Sequence, residues 1–285
     1  MMNQGTFVVE GKRAVVTGAG RGLGRALAYE LNRAGCLVAL LDIDGPAVAE
    51  TQATLPLPEI QSWTYTVDVS DLPSMERFVD ALREDCGKID ILINNAGLTV
   101  GALFTEHSPE DWRRVIDVNL MGVVHATRLL LPDLMVGEDT RIINISSVFG
   151  LVAVPWSTAY CASKFALTGL TEALRHELAG SRVHIIAIHP GGVNTGIVDA
   201  MKSSDSALKE HMSRMFRERT MSPERVAKRI VLAMIRKEKR VLISAETKLA
   251  VLFRRIFPVG FEDFLRRSFL QKIGLPLQDE RFLLK

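Results

Sequence analysis

The sequence predicts an α/β protein: one doubly wound parallel sheet with helices on both faces, followed by a C-terminal helical extension. Three observations predict it. Arg13-Ala14-Val15-Val16-Thr17 is an apolar strand that runs directly into the glycine-rich turn Gly18-Ala19-Gly20-Arg21-Gly22-Leu23-Gly24 and then a helical pattern. Strand and helix patterns then alternate to about Ile243, which implies parallel βαβ units. Asp42 closes the second strand, about 20 residues after the glycines. Together these describe a Rossmann-type sheet with its ligand beyond the carboxyl ends of the strands.

Apolar Leu23, Ala26, Leu27 and Leu31 at helical spacing place a helix that stops at Gly35. Its N-terminus lies at the glycine turn, where close-approaching amides and the helix dipole can hold a pyrophosphate. Gly18, Gly22, Leu23 and Gly24 are therefore the anion-binding candidates. Leu37 to Leu41 is the second strand, and the Asp42 carboxylate after it can accept hydrogen bonds from an adenosine ribose and repel a 2′-phosphate. NAD is favoured over NADP on this reading. Arg21 argues mildly the other way, since it could meet a phosphate.

Ala47 to Leu55 reads as a helix, Gln61 to Val67 as a strand ending in Asp68-Val69, Leu72 to Cys86 as a helix, and Ile89 to Ile93 as a strand followed by Asn94-Asn95-Ala96-Gly97. From Pro109 to Leu134 the apolar spacing fits one long helix with Asn119 in its middle, which needs hydrogen-bond partners if buried and is a structural anchor or a functional group. Arg141 to Ser146 is an apolar strand, Ser157 to Ala179 a helix, and Val183 to Ile188 a strand leading into His189-Pro190-Gly191-Gly192-Val193-Asn194-Thr195. Ser222-Pro223-Glu224 caps a helix to about Lys237, and Arg240 to Ser244 is the last strand. Residues 1–244 form the sheet domain on this reading and 245–285 the extension.

Tyr160 and Lys164, four residues apart, fall on one helix face, so a phenol and an ammonium share one space. A nearby positive charge favours the phenolate, which would let Tyr160 exchange protons near neutral pH. Ser147, one loop upstream, could hold a carbonyl oxygen for that exchange. Ser146 is adjacent on an extended segment and should face the other way. Cys161 is a packed bystander and His189 structural on this reading; the Asn144-Ile145-Ser146 glycosylation triplet is inert within a central strand.

In order, Thr17-Gly18-x-x-x-Gly22-x-Gly24, Asn94-Asn95-Ala96-Gly97, Asn119, Ser147, Tyr160-x-x-x-Lys164 and Pro190-Gly191 followed by Thr195 resemble the signature set of the short-chain dehydrogenase/reductase family, over about Lys12 to Ile243. The resemblance implies NAD(P)-dependent alcohol oxidation or ketone reduction. It makes Tyr160 the general acid/base, has Lys164 lower its pKa and bind the nicotinamide ribose, and has Ser147 polarise the carbonyl and Asn119 hold a relay water. It places Thr195 on the nicotinamide amide, Asp68 and Val69 on the adenine, and Asn94 in the region between the ribose and the strand end, with Ala96 and Gly97 also among the cofactor contacts. Pro190, Gly191 and Val193 complete the cofactor contacts. The competing class is a cofactor-binding scaffold without turnover.

Composition bounds the rest. With 47% apolar and 24% charged residues the chain reads as an ordinary globular protein. Cys36, Cys86 and Cys161 are scattered, so neither a disulfide framework nor a metal site is expected, and a cytoplasmic, reducing compartment fits. Met1 to Glu10 lacks a signal pattern and no unbroken apolar run approaches about 18 residues, so no membrane span is expected. The net charge of +2 hides a basic segment from Lys202 onward, with 20 of the 35 Lys+Arg and 10 of the 33 Asp+Glu. No recognition motif for nucleic acid accompanies it.

The residues expected at the pocket, Leu98, Val148, Phe149, Pro155, Trp156 and Val193, are apolar and suit a hydrophobic alcohol or ketone. A lid from Gly196 to about Met221 sets Met201, Met212, Met215, Phe216 and Met221 among charges, a pattern for closure over an apolar ligand or for a plain surface helix. A homodimer or homotetramer is expected. Lys248 to Phe257 and Phe261 to Leu270 place Phe, Leu and Ile at helical spacing beside paired arginines, so the extension is expected to pack on the core, on a partner subunit or on a membrane surface.

Overall fold

The computed structural model describes residues 7–196, 201–203, 209–210 and 221–272. Seven strands form one parallel sheet: β1 (Arg13–Thr17), β2 (Leu37–Asp42), β3 (Ser62–Thr66), β4 (Ile91–Asn94), β6 (Thr140–Ile145), β7 (Val183–His189) and β9 (Arg240–Leu242). Their order is β3-β2-β1-β4-β6-β7-β9. The chain thus winds outward from β1 in one direction and restarts at β4 in the other. A crevice opens between β1 and β4, where the direction reverses, and extended ligands bind there in such sheets.

Alternation along each strand builds two cores. Ala14 and Val16 of β1, Ile91 and Ile93 of β4 and Ile186 and Ile188 of β7 pack on one face with α1 (Gly22–Arg33) and α7 (Pro223–Ile235). Val15, Leu92, Ile142 and Ile185 pack on the other with α3 (Leu72–Cys86) and α5 (Gly122–Val136). Burial on both faces is why these strands read as continuous apolar runs. Truncating a fully buried leucine here, such as Leu27 or Leu130, would cost about 2–5 kcal/mol.

Two features differ from the sequence reading. The expected helix from Pro109 to Leu134 is interrupted: α4 (Pro109–Ile116) passes into a π-helical turn (Asp117–Met121) before α5, and Asn119 sits in that turn. By length and composition the run 109–136 could cross a bilayer, but here it lies against the sheet, with Ala126, Leu130 and Leu134 fully buried. The second difference is a two-stranded sheet, β5 (Val100–Gly101) with β8 (Lys202–Ser203), which joins the loop after β4 to the expected lid. Met201 is buried against Gly101, and Lys202 Nζ donates to both Asp111 oxygens at 2.8 and 3.0 Å. Met212, Met215 and Phe216 lie outside the described residues.

A buried arginine went unnoticed in the sequence. Arg141 donates to Asp139 and to the carbonyls of Thr140 and Met234, and its guanidinium lies 3.8 Å from the Phe7 ring centroid. Burial would raise the Asp139 carboxyl, but Arg141 and Lys237 hold it down to about 2. This cluster binds the start of β6 to α7, at the sheet end away from the glycine turn.

Candidate functional site

The glycine turn is shaped by close approach. Gly18 (φ +66°) brings its backbone so near the next crossover that a Cβ would lie 2.8 Å from Ala96 Cα, and at Gly22 (φ +53°) a Cβ would lie 2.7 Å from the Thr195 carbonyl oxygen. At Gly24 a Cβ would overlap the Gly18 carbonyl oxygen. The first amides of α1 are thereby left open at the crevice, and the Thr195 loop crosses directly over them. The Leu23 side chain turns into the core, so only its backbone belongs to the turn. Gly24→Ala should lower NAD affinity by about 100-fold, or about 2.7 kcal/mol. Calorimetric titration with NAD, on protein whose circular dichroism is unchanged, checks this.

Asp42 braces the same turn. Its two carboxylate oxygens accept from the Gly20 amide at 2.8 Å and the Asp44 amide at 3.0 Å, and each oxygen keeps a further acceptor site. Arg21 pairs with Asp44. Asp68 accepts from the Ser70 amide and hydroxyl, and the Val69 carbonyl meets His125 Nδ1 at 3.1 Å.

The sequence reading put Asn94 beside the ligand, whereas its side chain turns inward. Asn94 Nδ2 donates to Asn144 Oδ1 at 2.8 Å and to Thr127 Oγ1 at 3.2 Å, in a buried polar network between β4 and β6. Its neighbour Asn95, which sequence reasoning passed over, clamps the glycine turn by donating to the Thr17 and Gly18 carbonyls. The Thr17 hydroxyl in turn accepts from the amides of Asn95 and Ala96. Only an alternation of pointing direction along Asn94-Asn95 distinguishes the two, and it could have been read from the strand period.

The candidate catalytic residues converge on the same crevice. Ser147, Phe149 and Tyr160 meet at the N-terminus of α6 (Thr158–Glu177), with Phe149 edge-on to the Tyr160 ring at 6.3 Å. Ser146 turns away, bonding to the Lys164 carbonyl and Thr168. Lys164 is buried, donates to the Ile145 carbonyl at 2.9 Å and lies 5.7 Å from the Tyr160 ring centroid. Gly97 lies beside both Lys164 Nζ and Asn119 Oδ1. Asn119 is an anchor: Oδ1 accepts from the Leu98 amide at 2.8 Å, while Nδ2 donates to the Leu98 carbonyl and to Ser163 Oγ. Ser163 then donates to the Tyr160 carbonyl at 2.8 Å, so the π-turn is tied to the turn of α6 that carries the phenol.

Electrostatics departs from the expectation for Tyr160. Burial pushes its phenol up to about 12, against the hydrogen bond with Ser147. Burial also brings Lys164 down to about 8. At pH 7 the pair is a neutral phenol beside an ammonium. Burial acts against the charged form of each group, and it is the largest cause of both shifts.

His189 does more than pack. Its Nδ1 is 3.1 Å from the Ser147 carbonyl, which can only accept, so Nδ1 carries the proton and fixes the backbone at Ser147. The Pro190 carbonyl accepts from the Val148 amide on the other side of the same loop. Gly191 lies against Ser244 and Thr247, and Val193 forms a bridge with Met221. Cys161 is buried beside the Val154 carbonyl. Leu98, Val148, Phe149 and Pro155 are half-buried, whereas Trp156 is buried with a left-handed backbone (φ +69°) and an unpartnered indole N–H. Among the described residues no group of three potential metal ligands occurs.

Comparison with known proteins accords with this geometry. Residues 12–206 match the family model for short chain dehydrogenase. The chain is 35% identical over 257 residues to the putative oxidoreductase SadH of Mycobacterium tuberculosis, covering 89% of this chain and 93% of that protein. It is 30% identical to estradiol 17-beta-dehydrogenase 11 of Rattus norvegicus, covering 91% and 84%. A short chain dehydrogenase/reductase from Burkholderia phymatum, solved in complex with NAD, superposes with a TM-score of 0.80 at 31% identity, covering 96% of this chain and 98% of that one. The chain belongs to the short-chain dehydrogenase/reductase family and is an NAD(P)-dependent oxidoreductase.

Proposed function

We propose that the protein interconverts a hydrophobic secondary alcohol and its ketone, using NAD in preference to NADP. The convergence of Ser147, Tyr160 and Lys164 beside the glycine turn carries this reading. The nicotinamide cofactor supplies hydride acceptance and donation when bound. The protein's residues do the rest. Gly18, Gly22 and Gly24 let the turn close tightly against Ala96, Thr195 and the Gly18 carbonyl, so the N-terminus of α1 can receive a pyrophosphate, and Asp42 keeps acceptor sites for a ribose. Ser147 and Tyr160 hydroxyls hold the substrate oxygen; Tyr160, a neutral phenol at pH 7, donates its proton to the forming alkoxide in reduction and, as the phenolate, takes the alcohol proton in oxidation. Lys164 keeps a positive charge beside the phenol, and Asn119 holds both walls in register through Leu98 and Ser163.

The apolar character of Leu98, Val148, Phe149 and Met201 supports a hydrophobic substrate, and the likeness to a protein named for estradiol supports it independently. Two observations support the cofactor preference. Asp42 puts a carboxylate beside the glycine turn, which would repel a 2′-phosphate, and Arg21, the cation that could answer that phosphate, is paired with Asp44. NAD should bind about tenfold or more tighter than NADP, a difference of about 1.4 kcal/mol or more. Titration of both dinucleotides checks this, and equal affinities would show that Arg21 leaves Asp44 for the phosphate. The function itself is tested by NADH formation from a panel of steroid, retinoid, aromatic and long-chain secondary alcohols beside sugars. Turnover confined to sugars would overturn it.

A further inference from the structure

The most exposed apolar surface of the described residues lies on the extension. In α8 (Ala245–Ile256) one side, Thr247, Ala250, Val251 and Arg254, leans on the body, with Arg254 5.1 Å from the Phe165 ring centroid. Leu249, Leu252, Phe253 and Ile256 fall on the opposite side at i, i+3, i+4 and i+7, and about half of each is open to solvent. The stripe continues through Phe257 and Val259 into α9 (Pro258–Lys272), where buried Phe261 stacks on exposed Phe264 at 6.3 Å. Contiguous apolar surface of this kind marks a contact.

Charge selects the occupant. Lys248 and Arg255 flank the stripe on α8, and Arg266 and Arg267 are exposed on α9. Glu246, Glu262 and Asp263 are exposed there too, but between Ala245 and Lys272 the sequence holds six Lys+Arg against three Asp+Glu. A second copy would meet this patch about a two-fold axis, which sets the basic flank against itself. An anionic lipid surface takes up both halves of the pattern, with acyl chains receiving Leu, Phe and Ile and headgroups receiving the basic rim.

We propose that α8 and α9 dock the protein peripherally on an anionic lipid bilayer through this stripe. The position has a consequence for the site. α8 starts at Ser244, whose hydroxyl stands where a Cβ on Gly191 would come within 2.8 Å, so the docking helix begins at the carboxyl edge of the sheet that holds the catalytic groups. A docked enzyme would hold its site next to the phase in which an apolar substrate dissolves. The docking itself does not depend on the proposed reaction.

The test is co-sedimentation of the full chain with vesicles of equal phosphatidylglycerol and phosphatidylcholine, and with phosphatidylcholine alone, beside Phe253→Asp/Ile256→Asp and Arg266→Glu/Arg267→Glu. The wild type should sediment with the anionic vesicles, and each double variant should bind them about tenfold less while keeping its NAD-induced rise in melting temperature. Wild-type protein that stays in the supernatant would overturn the proposal. So would variants that sediment as the wild type does, or a wild-type dimer that the Phe253→Asp/Ile256→Asp change turns to monomer while vesicle binding is unchanged.

Discussion

Replacing Tyr160 with phenylalanine should reduce turnover by about a thousandfold while leaving NAD affinity within about twofold of the wild type. The substitution removes one hydroxyl and keeps the ring, which packs edge-on against Phe149. In the proposed mechanism the hydroxyl is the proton donor or acceptor for the substrate oxygen, and it also takes part in the hydrogen bond with Ser147. None of the glycine-turn contacts involve it. Rapid-kinetic turnover and calorimetric NAD binding on the same preparation check the prediction, and activity above about a tenth of wild type would remove Tyr160 from the chemistry.

Lys164→Ala should harm rate and cofactor affinity together, by about 100-fold and about tenfold, because one ammonium stands between the phenol and the cofactor crevice beside Gly97. It also strips the Ile145 carbonyl of its donor, a buried loss of about 1–3 kcal/mol. A distinctive pH signature accompanies it. With the folded-state pKa near 8 and the usual value at 10.5, the unfolded chain holds a proton that the folded chain releases between those values, so Lys164 makes stability rise with pH across that window. Tyr160, raised to about 12 from 10.0, makes stability fall above pH 10. Catalysis runs the other way from stability: ketone reduction, which needs the ammonium and the phenol, should decline as pH passes about 8, just where melting temperature begins to climb. Thermal melts and reduction rates from pH 7 to 10 should therefore diverge in the wild type, and the climb attributable to Lys164 should be missing in the alanine variant.

The glycine turn, the strand ends and the Tyr160–Lys164 pair were legible because they depend on local spacing. A strand period of 2 and a helix period of 3.6 put each of these residues on its face before any packing is known. What stayed hidden depends on partners far away in sequence. Asn94 looked like a residue at the ligand edge, and only its pairing with Asn144, fifty positions on, shows it as part of the sheet interior. Asn119 was legible as a residue that needs partners if buried. The π-turn that carries it was not, since apolar residues crowd both sides of it, from Val115 to Val124, and hide the one-residue change of phase. The pairing of β5 with β8 joins two-residue strands, too short to carry a period. Tyr160 shows the limit of spacing arguments about charge: burial of the phenol, which spacing does not report, sets the direction of its shift.

His189 and Arg141 were legible only as types. Both are polar residues in apolar strands, which signals a satisfied group without saying what it satisfies. The structure gives His189 a task at Ser147 and Arg141 a task at the opposite end of the sheet. Their separation matches the division of the fold, with chemistry at the carboxyl edge and stability at the amino edge.

The central claim is direct hydride transfer between a hydrophobic alcohol and NAD, with Tyr160 handling the proton. Its most direct measurement uses a secondary alcohol that is turned over in the panel, deuterated at the carbinol carbon, with mass-spectrometric analysis of the reduced cofactor. The account predicts one deuterium per NADH formed by the wild type and no labelled NADH from Tyr160→Phe over the same interval. Unlabelled NADH, or labelled NADH formed equally by the variant, would contradict it.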